Sequence, residues 1–175
     1  MRKIEPAVLC LLFLSGPVLA AYDANGVALG ASEDDIKRRF PSIHCKALEW
    51  KSKAADRRCD DAKIAFAGGV QARITFYLSR NAIQAFDVRF DTREVERVAG
   101  FLKKQYGAPL AETRDTLERR EKSDKDSKDK KPRVIYRVRW EAGKDRAVLF
   151  SEAEKSRSSL LVSRGDFEEE IYRVR

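Results

Sequence analysis

The sequence predicts an α+β fold: a two-layer sandwich whose antiparallel sheet carries two helices on one face. Three observations predict it. Residues 70–90 hold two runs in which apolar and polar residues alternate, separated by a polar turn at 79–81. Residues 32–40 and 92–106 combine end-capping residues with apolar positions at helical spacing. After each helix comes a proline stop, a long polar stretch and then three strand-like runs. The chain therefore divides into two α-β-β-β units, about 26–90 and about 91–165, alike in pattern but with negligible sequence identity. One short helix cannot cover the sheet of one unit. Two units side by side make a single domain over 21–175.

The chain begins with the pattern of a secretory leader. Arg2 and Lys3 precede a short apolar run at 7–13, Gly16 and Pro17 break it, and Val18 and Ala20 stand where a signal peptidase reads. A cleavable signal over 1–20, with the mature chain starting near Ala21, is expected, and no segment is long and apolar enough to span a membrane. Cys10 follows Leu9 rather than the small residue of a lipobox, so it leaves with the leader. Periplasmic or secreted localisation follows. Loss of Arg2, Lys3 and Glu5 lowers the formal charge of +8 by one, and the strongly basic remainder favours anionic surfaces.

Two cysteines remain, Cys45 and Cys59. An even count in an oxidising compartment points to a disulfide, which would contribute roughly 3 kcal/mol by closing its loop. His44, Cys45, Cys59, Asp60 and Asp61 are the candidate metal ligands. They lack a C-x-x-C knuckle, and adjacent residues rarely reach one tetrahedral ion together. No metal and no cofactor is expected.

Taken in order, Ser32 caps the first helix with Glu33, Asp34 and Asp35 in its first turn, where the helix dipole favours carboxylates. Ile36 and Phe40 share a face, and Pro41 ends it. Residues 42–62 have no period and read as a loop held by the two cysteines and packed down by Leu48 and Trp50. Strands follow at 63–66, 70–78 and 82–90. Ile83 and Ala85 are out of phase with Phe86, Val88 and Phe90, so a bulge is expected near Ala85. Asp91 with Glu94 resembles a capping box for the second helix, whose stripe is Val95, Val98, Ala99, Leu102 and Tyr106. Gly107 and Pro109 close it.

The charged stretch 112–132, with Arg133, holds nine Lys and Arg against seven Asp and Glu, interspersed. It reads as a solvated loop, and the mixing of signs argues against nucleic-acid or heparin binding. Strands are expected at 133–140, 146–151 and 158–163. A short helix follows Asp166, with Phe167, Ile171 and Val174 on one face.

The segments 26–41 (GVALGASEDDIKRRFP) and 103–109 (KKQYGAP) resemble small proteobacterial envelope proteins built from helix-plus-hairpin units, the group that includes the β-lactamase inhibitory protein and the BamE (SmpA/OmlA) lipoproteins. The resemblance implies their fold and a habit of binding other proteins. It carries over no functional residue, and the missing lipobox carries over no lipid anchor.

Catalytic constellations are absent from the pattern. His44 is the one histidine, Cys45 beside it is expected to be oxidised, and no G-x-S-x-G, P-loop or G-x-G-x-x-G occurs. A non-enzymatic role is expected. The polar phase of the strands is the better lead: Arg73, Tyr77, Arg89, Arg137 and Arg139 fall opposite the apolar phase, and Arg and Tyr are enriched in binding hot spots. The expected function is an exported accessory module of the cell envelope that binds a protein partner through this face. Inhibition of a secreted hydrolase and binding of anionic lipid or lipopolysaccharide are the alternatives.

Overall fold

A computed structural model describes residues 22–117, 133–165 and 167, without the side chains of 61 and 62. The expected leader at 1–20, the charged residues 118–132 and the expected tail helix, apart from Phe167, lie outside them. The chain enters through a two-residue ribbon, β1 (Asp23–Ala24) against β2 (Val27–Ala28). Helix α1 (Glu33–Arg39) is followed by β3 (His44–Ala47), β4 (Arg57–Phe66), β5 (Val70–Ser79) and β6 (Ala82–Asp91). A 3₁₀ turn, Thr92–Glu94, leads into α2 (Val95–Tyr106), and β7 (Ala111–Leu117), β8 (Arg133–Ala142), β9 (Asp145–Glu152) and β10 (Arg157–Arg164) complete the order.

The two-layer α+β sandwich is corrected by this architecture. Strands take 55% of the described residues and helices 18%, and eight strands form one antiparallel sheet in the order β3-β4-β5-β6-β10-β9-β8-β7. Strands lie about 4.8 Å apart, so the sheet is roughly 34 Å across. The helices, of 7 and 12 residues, are only about 10 and 18 Å long. They are too short to form a second layer over it. The excess strand comes from stretches expected to be loop: β3 and the first half of β4 inside 42–62, and β7 inside the charged run. Each unit is thus a helix followed by four strands, not three, and the units join where β6 pairs β10.

Local chemistry explains why the elements form where they do. At the β5–β6 hairpin, Ser79 pairs with Ala82 around Arg80 and Asn81, both at positive φ (50° and 63°), the two-residue turn whose twist matches that of the strands. Tyr77 pairs with Ala85 but Leu78 with Ile83, leaving Gln84 as the extra residue of a bulge. The bulge brings Ile83 onto the same face as Phe86, Val88 and Phe90, all fully buried. Phe76 on β5 meets Phe40 at 5.6 Å and Phe86 at 6.0 Å. Ile36 of α1 and Val98, Ala99 and Leu102 of α2 close the same core. Asp91 caps differently from the expected box: its carboxylate accepts from the Arg93 amide at 3.0 Å, and Glu94 lies inside the 3₁₀ turn.

Ser32 and Asp35 form a reciprocal capping box at α1. The Ser32 hydroxyl donates to the Asp35 carboxylate at 2.7 Å and the Ser32 amide at 2.9 Å, and Arg38 pairs with it. These bonds, the hydroxyl foremost, lower the Asp35 pKa to about 2. A folded value below the unfolded one means that the contribution is complete above about pH 4 and disappears as the pH falls through the folded value. An NMR titration of the Asp35 carboxyl is expected to find its midpoint at about 2; an ordinary aspartate midpoint would show that the box adds nothing to the ionised form.

Candidate functional site: the polar face of the sheet

Alternation along each strand sends one phase to the core and the other to the opposite face. Pairing registers then fix which polar residues are neighbours. One row runs Arg73 (β5), Arg89 (β6), Ser159 (β10), Phe150 (β9), Arg137 (β8), each opposite the next. The adjacent row runs Asp60, Thr75, Asp87, Leu161, Val148, Arg139. Four of the expected site residues, Arg73, Arg89, Arg137 and Arg139, are therefore brought together on two neighbouring rows. All four are exposed.

Their partners differ. Arg89 donates to the buried Asp87 carboxylate at 2.8 Å, and that negative charge raises its pKa. Arg139 lies 3.6 Å from Glu141, which Arg146 shares at 3.1 Å. Arg137 makes no ion pair among the described residues; its guanidinium lies 5.7 Å from the centroid of the Phe150 ring. Arg73 likewise has no carboxylate partner among the described residues. Asp60 is engaged by Arg58 at 3.2 Å and by the Thr75 hydroxyl at 2.9 Å.

Tyr77 shares this face with the arginines but is covered. It is only 7% exposed and packs against Phe167, ring centroids 5.3 Å apart. Ala55, Ala85 and Leu161 complete this second apolar cluster, with Leu48, Trp50 and Ala54 at its rim. The strand phase put Tyr77 on the correct face, but the segment that covers it is distant in sequence. Phe150 was missed for a related reason: it sits at the end of an apolar run, 147–150, in which alternation is masked, and only pairing with Ser159 and Arg137 places it in the row.

Cys45 and Cys59, opposite one another on β3 and β4, form a disulfide. Glu33 approaches both sulfurs within 4.8 Å. With the sulfurs bonded to each other, that trio offers one carboxylate, which Lys37 and Arg57 already hold at 2.7 and 2.8 Å. His44 is exposed on the edge strand β3.

A concavity of 610 Å³ opens between the start of α2 and strands β8 and β9. Two of its hydroxyls meet Ser158, which donates to Ser151 at 2.8 Å and lies 3.0 Å from Thr92. The Tyr136 hydroxyl donates to Glu112 at 2.6 Å, and burial pushes its pKa up. Arg114 stacks over the Tyr136 ring at 4.6 Å and pairs with Glu96. Arg93 pairs with Asp91, and Lys155 reaches Glu152 at 3.1 Å.

No family model, no curated protein and no solved structure matches the chain. Among the described residues no helix is long and apolar enough to cross a membrane.

Proposed function

We propose that this chain is an exported, non-catalytic module of the cell envelope that binds a protein partner through the polar face of its sheet. The observation that supports this most is Arg137. An exposed guanidinium laid over Phe150, without a carboxylate partner among the described residues, is a rigid cation–aromatic surface of the kind that anchors interfaces. Arg139, exposed on the same strand, extends the positive surface. A planar guanidinium fork is matched to a carboxylate, so the partner would present Asp or Glu to this strand.

Export is supported by the disulfide together with the leader pattern at 1–20. Cleavage after Ala20 and residence in the periplasm complete the reading. Charge reversal at both arginines, Arg137→Glu with Arg139→Glu, is expected to weaken capture of the partner from envelope extract by about tenfold or more, with the melting temperature unchanged. Equal capture by the variant would eliminate this face.

A further inference from the structure

The sheet ends in a strand that binding through Arg137 does not use. β7 stands at the outer end of the strand order and, among the described residues, pairs with β8 alone. Every residue of β7 is exposed, on both phases, whereas the inner strands each bury one phase. Outer backbone N–H and C=O groups with no ladder to join make such an edge a template for another strand. Leu110 and Leu117 flank it, and both are among the few large hydrophobic residues left exposed. The opposite edge, β3, has four residues and none is acidic, so it cannot complement a copy of itself by charge.

Charges along an edge discourage pairing in general, but their order on β7 admits one symmetric register. Residues directly opposite in an antiparallel pair share a face. A two-fold axis perpendicular to the sheet keeps every side chain on its own face, so it passes through a residue rather than between two. With Thr113 on the axis, Glu112 of each copy stands opposite Arg114 of the other, Thr113 meets Thr113, and Ala111 meets Asp115. Neighbouring registers fail. An axis through Glu112, Arg114 or Asp115 sets that charge against itself, and like charges directly opposite destabilise a sheet. Glu112 and Arg114 keep capacity for the contact. Glu112 is held by Lys103 and accepts from the Tyr136 hydroxyl, which leaves room on a carboxylate with roughly four acceptor positions. Arg114 gives one terminal nitrogen to Glu96, only part of the donor set of its guanidinium.

We propose that β7 is a self-association surface: a second copy of this chain lays its own β7 antiparallel to the first, centred on Thr113, and joins the two sheets into one. The contact is isologous and closes at two copies. On each side of the axis the existing pairs, Lys103 with Glu112 and Arg114 with Glu96, become linked across the interface. The surface is independent of the reading placed on Arg137 and Arg139, which lie one strand further in, on β8.

Sedimentation equilibrium of the chain from Ala21 onward is expected to show a dimer exchanging with monomer. Glu112→Arg and Arg114→Glu, each alone, set like charges opposite one another on both sides of the axis and are expected to weaken the dimer by about tenfold. An equimolar mixture of the two variants restores both pairs and is expected to dimerise as the native chain does, a rescue that damage to either fold would not give. Thr113→Cys brings two cysteines opposite one another with Cα atoms about 4.5–5.5 Å apart, inside the range of a disulfide, and is expected to cross-link the copies on oxidation. Asp115→Cys, about 13 Å from its own counterpart along the strand, is expected to leave them separate. The Arg137→Glu, Arg139→Glu chain is expected to dimerise normally, so loss of partner capture and loss of the dimer are read apart. A chain that stays monomeric, a dimer indifferent to both charge variants, or cross-linking by Asp115→Cys in place of Thr113→Cys overturns the assignment.

Discussion

Replacing Trp140 by alanine is expected to destabilise the domain by about 3–5 kcal/mol, a large part of the total stability of a chain of this size. Trp140 is 2% exposed and among the largest fully buried side chains. It sits on β8, where its indole N–H donates to the Gly107 carbonyl at 3.0 Å, the point at which α2 ends. Its ring meets Tyr106 edge-on at 5.9 Å, and Tyr106 in turn contacts Tyr22 at 4.7 Å and donates from its hydroxyl to the Asp23 carbonyl at 3.1 Å. Burial pushes the Tyr106 pKa up, so this hydroxyl remains a donor. One indole thus links the last turn of α2 and the entry ribbon to the second unit of the sheet. Alanine would remove its packing and strand the rings on either side of the cavity. Phenylalanine would keep much of the volume and lose the hydrogen bond, for a smaller loss of about 1 kcal/mol. Urea denaturation of the two variants separates these contributions; a loss below that of the phenylalanine variant would place the link elsewhere.

The second large effect concerns the disulfide. Replacing Cys45 and Cys59 together by alanine is expected to lower stability by about 3 kcal/mol, the chain-entropy value for a loop of this length. The two residues are 14 apart in sequence, and Cys59 is fully buried in the main core. Alanine is the appropriate substitution, since serine would add a buried hydroxyl in need of a partner. The loss should be felt first at the edge. β3 has four residues and, among the described residues, pairs only with β4. The intervening loop carries Leu48, Trp50 and Ala55 onto the cluster around Tyr77. Hydrogen exchange at β3 and in this loop is expected to rise before that of β5 and β6. A denaturation midpoint unaffected by both reduction and substitution would show that the bond is dispensable.

Residues 70–90 were readable because burial there is one-sided. Core-facing Ile74 and Phe76 alternate with Arg73 and Thr75, and even the bulge at Gln84 is recorded as a break in phase. α1 and α2 were readable because their ends carry local chemistry, Ser32 with Asp35 at one and Gly107, at φ 83°, at the other. The cysteine pair followed from an even count behind a leader-like start. By contrast, β7 is exposed at every position and β3 is polar at two of four, so neither has a hydrophobic period to find. Backbone hydrogen bonds to β8 and β4 hold these edges in place, and nearly any residue type can make them. Charges along an edge also discourage further pairing, which is why such strands resemble loops in composition. That hidden strand turned an expected sandwich into a broad sheet.

The candidate surfaces divide in the same way. The sequence by itself determined the phase of every legible strand, because side-chain direction repeats every two residues and needs no partner. It therefore placed Arg73, Arg89, Arg137 and Arg139 on one face. Only the tertiary structure decided who stands beside whom: Arg73 against Arg89, Arg137 over Phe150, Tyr77 beneath Phe167. Those neighbours are set by strand order and register, which arise from packing the whole core between segments far apart in the chain.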